Sequence, residues 1–235
     1  MKHIFSLIML SLLFSCGKDK VILLPEISHS EISEILDISP AYLFYDETKV
    51  DSVELNRKNL IVTTNWLVNV DKRLTLKQVI PHIQFLQEKK RNSSHKNENA
   101  KNYFTCNDTS RKNLGFIEFT PIKYETLTDK LVLSFIQPIK TKKSYRLDAS
   151  HHAHSTLSII IDKDRNINFG DEIVTINQLS DKLDVFVKEY NFLGFSLDYF
   201  FDKNLTFQDY ISIKSQLNSL KSEVISFGYT EYIIN

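Results

Sequence analysis

The chain has 235 residues, of which 42% are hydrophobic, so it can bury the core of one large or two small domains. Its 29 basic residues balance its 29 acidic residues, which gives no electrostatic reason to expect nucleic acid or an anionic membrane surface as a partner. It has only 5 glycines and no G-x-G-x-x-G or G-x-x-x-x-G-K pattern, which argues against a phosphate-binding loop.

The first residues have the pattern of a bacterial targeting segment. The run Ile4–Phe14 is apolar but too short to span a bilayer, and it follows a short polar start. The letters Leu13-Phe14-Ser15-Cys16 resemble the lipobox of bacterial lipoproteins, which implies cleavage after residue 15 and a lipid on Cys16. We therefore predict a signal peptide over 1–15, a tether over 16–27 and a membrane anchor made of acyl chains. The alternative is an ordinary secretion signal with an incidental cysteine.

Residues 28–125 predict a first module that opens with a helix and two strands. Ser28 and Glu31 have the spacing of a capping box, and Pro40 would end a helix over Ser28–Ile38. The runs Tyr42–Tyr45 and Val50–Leu55 predict two strands around a polar turn. A strand, helix and strand follow: an apolar run at Leu60–Val62, a helix near Thr75, and a closing strand from Gly115.

The segment Glu88–Asn113 predicts a long, polar surface loop, because lysine, asparagine, serine and glutamate dominate it. Cys106 would then be an idle surface cysteine, the only one left after cleavage, so that no internal disulfide can form. The basic side chains of the loop could form a patch for an anionic polymer, but a solvated loop explains them better. They are Lys89, Lys90, Arg91, Lys96, Lys101, Arg111 and Lys112.

Residues 126–155 predict a bridging strand, at Leu131–Ile139, and a polar linker that contains His151, His152 and His154. Closely spaced histidines can share a metal ion, and Asp148 could supply a further ligand. A longer zinc signature such as H-E-x-x-H is absent, so we expect no metal site and no cofactor, and these histidines stay weak candidates.

Residues 156–235 predict a second module. A strand at Thr156–Ile161 is followed by an acidic turn, which lacks the glycine and glutamate of a calcium loop and indicates a hairpin. Thr175 predicts a helix start, with Gln178 three residues on. A strand, helix and strand end the chain, with Thr206 at the helix start and Gly228 at its expected end.

The two modules share a segment. Asp71-Lys72-Arg73-Leu74-Thr75-Leu76 is matched by Asp202-Lys203-Asn204-Leu205-Thr206-Phe207, so that positions 71 and 202 stand 131 residues apart. Gly115-Phe116-Ile117-Glu118-Phe119 likewise resembles Gly228-Tyr229-Thr230-Glu231-Tyr232. These matches favour an internal repeat over chance similarity of two strand–helix–strand units.

The layout of residues 156–235 resembles the periplasmic domain of the ExbD/TolR family. The resemblance rests on the strand before Asp162, on Asp171-Glu172 before the helix at Thr175, on Asp202–Leu205, and on Gly228-Tyr229 before the last strand. Residues 40–122 form a fainter, degenerate copy that lacks the first helix, unless the predicted helix over Ser28–Ile38 replaces it. Members of that family are partners of an inner-membrane proton channel, and their key aspartate lies in a membrane-spanning helix. The signal segment contains no acid, and no other apolar run of this chain is long enough to be a membrane-spanning helix.

We therefore expect an α+β fold of two tandem two-layer modules, each with helices on one face of a small mixed β-sheet. The expected function is that of a non-enzymatic cell-envelope lipoprotein, an interaction or accessory component of a TonB/Tol-like transport system. Its partner would be an ExbD-, TolR- or TonB-type protein or a second copy, through a strand edge or a helix face. The alternative is binding of peptidoglycan or another glycan. An enzyme is the third possibility, but no nucleophile elbow or zinc signature appears. Gly17 favours the outer membrane over the inner one, with the modules on the periplasmic face.

Overall fold

The structure is a computed structural model that describes residues 20–95, 97–128, 155–170, 172–190, 195–220 and 225–235. Its helices are α1 (Leu76–Arg91), α2 (Ile176–Tyr190) and α3 (Phe207–Asn218). Its strands are β1 (Glu26–Ile27), β2 (Ile38–Tyr45), β3 (Val53–Asn56), β4 (Asn65–Val70), β5 (Asn102–Asp108), β6 (Asn113–Glu118), β7 (Lys123–Thr126), β8 (Ser155–Ile161), β9 (Ile167–Phe169), β10 (Glu172–Val174), β11 (Phe195–Asp202) and β12 (Ile225–Ile234).

The first sheet has the strand order β3-β2-β4-β5-β6, and the short β1 also pairs with β5. β2 and β3 form an antiparallel hairpin, whereas β4 and β5 are parallel and are connected through α1. The second sheet has the order β10-β9-β8-β11-β12-β7. It repeats the plan with the hairpin β8–β9 and with the parallel strands β11 and β12, connected through α3.

These sheets and helices confirm the predicted α+β class with two mixed-sheet modules. In the second module, residues at alternate positions of β8 and β11 face the helices, as the two-residue period of a strand requires. The buried side chains on this face include Ile159, Tyr199 and Phe201, which share a core with Leu179 of α2 and Phe207 of α3. The core is continuous with that of the first module.

The three helices begin at threonine caps that the sequence predicts. The Thr75 and Thr175 backbone N–H groups donate to Oε1 of Gln78 and Gln178, both at 2.8 Å. Thr206 Oγ1 accepts from the Asp209 N–H at 3.1 Å. Each cap satisfies a backbone group that the first helical turn leaves without a partner.

The predicted helix over Ser28–Ile38 is wrong. This segment is non-helical and lies along the first sheet, where Ile32 forms a bridge to Phe116. The Ser30 N–H donates to Asp108 Oδ2 at 2.8 Å, and its hydroxyl donates to the Phe116 carbonyl at 2.9 Å. The sheet therefore supplies the hydrogen bonds that a helix would have made internally, and Ile32 packs on the sheet as a cover.

The predicted surface loop over Glu88–Asn113 is also wrong. α1 continues to Arg91, and β5 occupies the centre of the segment as an inner strand of the first sheet. Cys106, expected at the surface, has no solvent exposure. The strand is rich in polar residues, but Asn102, Thr105 and Asp108 are buried with it.

Two strand assignments shift. The first strand of the first crossover is Asn65–Val70 rather than Leu60–Val62, because Trp66, Val68 and Val70 fill the core. The closing strand of that crossover is β5, so Gly115, which lies in β6, is not the counterpart of Gly228 in β12.

The prediction that Gly228 ends a helix is wrong, because α3 already ends at Asn218. It lies within β12, where a Cβ atom would stand 2.6 Å from Asp198 Oδ1 on the neighbouring strand. Gly115 has a similar surrounding, because a Cβ atom there would stand 2.6 Å from the Cβ of Ser30. Gly228 therefore allows a close approach between β11 and β12, and Gly115 allows the segment at Ser30 to pack closely on β6.

The module boundaries differ from the prediction at two places. β7, assigned to the first module, pairs in parallel with β12 of the second sheet. The end of the predicted tether is docked, because β1 pairs with β5 and the Leu23 N–H donates to Asp71 Oδ2 at 3.2 Å. The bridging strand predicted at Leu131–Ile139 lies outside the described residues.

The two matched segments contact each other through reciprocal backbone hydrogen bonds. Leu76 N–H donates to Leu205 O at 2.9 Å, and Phe207 N–H donates to Leu74 O at 2.6 Å. One residue further on, Lys77 N–H donates to Lys203 O at 2.8 Å, and Gln208 N–H donates to Lys72 O at 3.1 Å. Each bond becomes its counterpart when 131 is added to the residue number in the first module and subtracted from the residue number in the second. The first two N–H groups of α1 and of α3 thus find acceptors in the other module.

Candidate functional site

A cavity of about 650 Å³ lies where the two modules meet, and we call it the seam cavity. The first module contributes Glu31, Glu118 at the end of β6, and the turn that leads into β7. The second module contributes the C-terminal end of α3 and residues of β11 and β12, including Tyr199, Lys214 and Glu231.

A buried ion pair lies in the wall of the seam cavity. Lys214 Nζ donates to Glu231 Oε1, and both side chains are almost fully buried. The Tyr210 hydroxyl donates to Glu231 Oε2 at 2.6 Å, and the Tyr124 hydroxyl lies 3.1 Å from that of Tyr210. Desolvation raises the pKa of both tyrosines, so both stay protonated and can donate. Hydrogen bonds to both carboxylate oxygens are what a buried charge pair requires.

Three elements hold this network. Tyr210 and Lys214 stand four residues apart on α3 and so share one helix face. Glu231 comes from β12, and Tyr124 comes from β7, the strand paired beside it. The network therefore depends on the passage of the chain from the first sheet into the second.

Tyr199 adds an unusual group to the cavity wall. Its side chain is 5% exposed, and its hydroxyl has no hydrogen-bond partner among the described residues. Desolvation, and then the nearby Glu231 charge, raises the pKa of this phenol. A buried hydroxyl without a partner costs free energy, and it can be satisfied by a ligand.

A second buried cation, Lys90, is held by hydrogen bonds within the fold. Its Nζ donates to the Thr64 carbonyl at 3.2 Å, the Lys101 carbonyl at 3.1 Å and Asn102 Oδ1 at 2.9 Å. It also lies 4.9 Å from the ring centroid of Trp66. Burial lowers the pKa of Lys90 to about 8, but all three protons of its charged form have acceptors. Lys90 therefore joins the end of α1 to β5.

The residues that the sequence singles out do not form a site in the described part. Cys16, His151, His152 and His154 lie outside it, as does Lys96. Desolvation raises the pKa of Cys106 to about 12, which keeps its thiol protonated and unreactive.

Three of the basic residues that could have contributed to a patch for an anionic polymer are held by contacts within the fold. Lys90 is buried, Lys101 pairs with Glu118 at 2.9 Å, and the Arg111 Nε lies 3.8 Å from Asp108 Oδ2. The described residues include no group of three or more potential metal ligands. None of the helices in those ranges is long and apolar enough to cross a membrane.

Sequence reasoning missed the seam cavity, although one signal pointed to it. Lys214 lies on the apolar stripe of α3, between Ile213 and Leu217, and Glu231 lies in an otherwise apolar strand end. Charges at such positions are costly unless they are paired, so they indicate a buried contact. Their pairing across 17 residues is not visible in a local pattern.

Comparisons with known proteins do not identify the chain. No family model matches its sequence, no curated protein matches it, and no solved structure matches its fold.

Proposed function

We propose that the chain is a non-enzymatic, lipid-anchored protein of the bacterial cell envelope whose ExbD/TolR-like modules bind a protein partner. In this role it is an accessory component of a TonB/Tol-like transport system that the proton-motive force drives. Cys16 anchors it to the outer membrane, with the modules on the periplasmic face. The arrangement of α2 and α3 on one face of the second sheet supports the resemblance on which this proposal rests.

The observation that carries the proposal is the edge strand β10. In the described part of the chain, β10 pairs with β9 alone, so its other side offers backbone groups for a further strand. Its central residue, Ile173, is 66% exposed. The three-residue strand has neither lysine nor proline, two of the residues that commonly protect edges from pairing, and its one charged side chain, Glu172, pairs with Lys182 at 2.6 Å.

A groove beside β10 supports the same mode of binding. It has a volume of about 440 Å³ and lies between the start of α2 and the exposed side of α3. Ile173, Ile176 and Ile213 line it together with polar side chains such as Gln178. A strand added to an edge gains affinity from main-chain hydrogen bonds and specificity from such places for its side chains.

The buried carboxylates of Asp71, Asp108 and Glu231 have partners within the fold and give no support to a catalytic role. Arg73 Nη2 donates to Asp71 Oδ2 at 2.8 Å, and Asp108 accepts from the Ser30 and Ser110 N–H groups. Glu231 accepts from Lys214 and Tyr210. Carboxylates held this way are typical of groups that stabilise a fold.

A photo-cross-linking residue placed at Ile173 in living cells tests this surface. We expect an adduct with one envelope protein. The adduct should be lost when an excess of the same protein without the cross-linking residue competes for that partner. Val50 is the matched control, because it is apolar and 86% exposed in the first module. Identical adducts from positions 173 and 50, or abundant bystanders alone, would contradict the proposal.

The anchor has its own test. Cys16→Ala should move the protein from the membrane fraction to the soluble periplasmic fraction, because no acyl chain can then be attached. Cys106→Ala is the control and should leave the protein in the membrane fraction, since that thiol is buried. Equal fractionation of both variants would remove the lipid anchor from the proposal.

The alternative is glycan binding, through tyrosine and phenylalanine side chains of the sheet or through the basic residues of 88–113. The basic residues now support it less, because Lys90, Lys101 and Arg111 are held by contacts within the fold. Sedimentation with purified cell-wall sacculi separates the alternatives. Cosedimentation of the protein with sacculi that persists when Ile173 is replaced by the cross-linking residue would favour the glycan. A protein adduct at position 173 without cosedimentation would favour the protein partner.

A further inference from the structure

The N-terminal side of the described chain is fastened to the hairpin of β2 and β3. Lys20 Nζ pairs with Asp46 at 2.7 Å and with Glu54 at 2.6 Å. Asp46 directly follows β2, and Glu54 lies in β3. The chain therefore meets the first module at the turn of this hairpin.

Backbone hydrogen bonds hold the residues after Lys20. The Lys72 N–H donates to Leu23 O at 2.7 Å. β1, which follows at Glu26–Ile27, pairs with β5 of the first sheet. Residues 20–27 are thus part of the folded body and cannot act as a flexible tether.

The connection to the predicted lipid is short. Gly17, Lys18 and Asp19 separate Cys16 from Lys20. A peptide chain spans at most about 3.6 Å per residue, so the Cα atoms of Cys16 and Lys20 lie at most about 14 Å apart. Because acyl chains on Cys16 lie in the bilayer, they keep the β2–β3 turn close to the membrane surface.

The turn presents apolar side chains at this place. Val50 is 86% exposed, the highest value among the large apolar side chains of the described ranges. Val21, next to Lys20, is 73% exposed. Such side chains gain free energy when they leave water for the boundary between lipid headgroups and acyl chains.

The turn is supported in the conformation that exposes Val50. The Ser52 N–H donates to Lys49 O at 3.0 Å. Gln78 Nε2 of α1 donates to Asp51 O at 2.5 Å. The turn is therefore ordered before it meets a surface, which reduces the entropy that binding costs.

The charges of the turn do not favour anionic lipid. Lys20 and Lys49 both pair with Glu54, at 2.6 Å and 3.6 Å. Glu47 and Asp51 add negative charge to the turn. Attraction to anionic lipids requires clustered basic residues, so a contact here is apolar. Phosphatidylcholine, which has no net charge, is the matching lipid.

We propose that the β2–β3 turn is a membrane-contact surface. It inserts Val50 and Val21 among the headgroups of the leaflet that holds the acyl chains of Cys16. The modules then stand on the membrane in one orientation. The proposal rests on the lipid anchor of the proposed function but not on the β10 edge.

A fluorescent label at position 50 tests this contact in the acylated protein. Because Cys106 is buried and Cys16 carries the lipid, Val50→Cys supplies an accessible thiol for an environment-sensitive dye. The labelled protein is reconstituted in phosphatidylcholine vesicles that contain a lipid with a quencher at headgroup depth. We expect strong quenching at position 50, and also at position 21 in Val21→Cys.

Leu36→Cys is the matched control. Leu36 is 74% exposed in the first module, but it precedes β2, whereas the turn follows β2. Ile38–Tyr45 spans about 23 Å, so the labels at positions 36 and 50 report on opposite ends of the first sheet. The label at position 36 should stay in water. Equal quenching at positions 36 and 50, or none at position 50, would overturn the proposal.

A longer tether tests the role of the short connection. An insertion of about 20 glycine and serine residues between Asp19 and Lys20 lets the modules leave the surface while the acyl chains stay in the bilayer. Quenching at position 50 should fall about threefold or more, because the effective concentration of the turn at the membrane falls. The same insertion within residues 129–154 is the control. Equal quenching in both insertion variants would rule out the short connection as the cause of the contact.

Val50→Asp tests the apolar character of the contact. A charge at this position resists transfer out of water, so quenching of a label at position 21 should fall about threefold or more. The fold should keep its stability, because Val50 is exposed. Leu36→Asp is the control and should leave the quenching unchanged. Equal quenching in the two variants would contradict an apolar contact at Val50.

Mass spectrometry of the protein purified from membranes separates the two possible failures. An absence of acyl groups on Cys16 would overturn both this proposal and the anchor of the proposed function. An acylated protein without quenching at position 50 would overturn the membrane contact alone, and the adduct expected at Ile173 would be unaffected.

Discussion

The Lys214–Glu231 ion pair stands where the first module has apolar side chains. Ile83 lies 131 residues before Lys214, and Phe104 pairs opposite Val68 as Glu231 pairs opposite Tyr199. Buried ion pairs gain little over apolar side chains of similar size, because both charges must leave water. The polar pair is thus a property of the second module and not a requirement of the shared fold.

This difference predicts the result of a double-mutant cycle. Lys214→Ile alone should lower the free energy of unfolding by about 3 to 5 kcal/mol, because Glu231 is left buried without a counter-charge. Lys214→Ile combined with Glu231→Leu should recover at least half of that loss. Urea denaturation of the four proteins measures both changes. Additive losses in the double variant would show that the charges do not depend on each other.

Asp108 predicts a dependence of stability on pH. A hydrogen bond from the Ser110 hydroxyl, together with N–H donors such as Ser30, lowers the pKa of Asp108 to about 2. Its pKa in the unfolded chain is about 4, so the folded protein favours the charged form. The stabilisation is present above about pH 4 and is lost as pH falls from there toward about 2.

The stability difference between the wild type and Asp108→Asn measures this effect. It should be largest near neutral pH and should shrink below about pH 4, where the wild-type carboxyl becomes protonated. Urea denaturation at a series of pH values gives the difference. A difference that stays constant over that range would rule out the ionised Asp108 as its cause.

Single residues also show why β5 could not be predicted. Hydropathy patterns place Asn102 and Asp108 at a surface, yet each is buried with partners from elsewhere in the chain. The Asn102 N–H donates to Thr120 Oγ1 at 2.8 Å, and Asp108 accepts from the Ser30 N–H, 78 residues away. A buried polar group with a distant partner looks the same in a sequence as an exposed one.

Among the elements, the helix starts were predictable and the helix ends were not. The threonine caps join residues within one turn, so the sequence contains the whole signal. Glycine is typical of a helix end, but Gly228 instead allows β12 to approach Asp198, which lies 30 positions earlier in the chain. The seam cavity was missed for a similar reason, because its lining residues Glu118, Tyr199, Lys214 and Glu231 come from four separate elements.

The helix starts also predict how the modules stabilise each other. Lys77→Pro removes the N–H group that donates to Lys203 O, while proline remains tolerated in the first turn of a helix. Asn177→Pro at the second position of α2 is the matched control, because its N–H has no such bond to the first module in the described part.

The Lys77→Pro variant should therefore lose about 1 kcal/mol more of its unfolding free energy than the Asn177→Pro variant. Thermal or urea denaturation measures both. Equal losses would mean that the bond between the modules does not contribute to stability.

At the scale of the whole molecule, the two modules share one core and form backbone hydrogen bonds with each other. The chain leaves the first sheet after Glu118 and enters the second at Lys123, so β7 belongs by sequence to one module and by pairing to the other. Gln84 and Gln87 of α1 reinforce this passage, since they donate to the carbonyls of Tyr124 and Ile122.

We expect the two halves to stay together when the connection between them is cut. A protease site inserted within residues 129–154 allows cleavage between β7 and β8. The pieces should elute together in size-exclusion chromatography, because β7 remains paired with β12 and the helix starts remain paired with each other. Elution as separate pieces under native conditions would show that the shared core is too weak to hold them.

The reciprocal bonds at the helix starts place a constraint on evolution. A substitution that displaces the backbone of 71–77 also moves the acceptors that 202–208 needs, and the reverse is equally true. Neither segment can therefore change its backbone position without affecting the hydrogen bonds of the other. Descendants of a common ancestor are therefore expected to retain both segments or to lose both, and changes in one are expected to be accompanied by compensating changes 131 positions away.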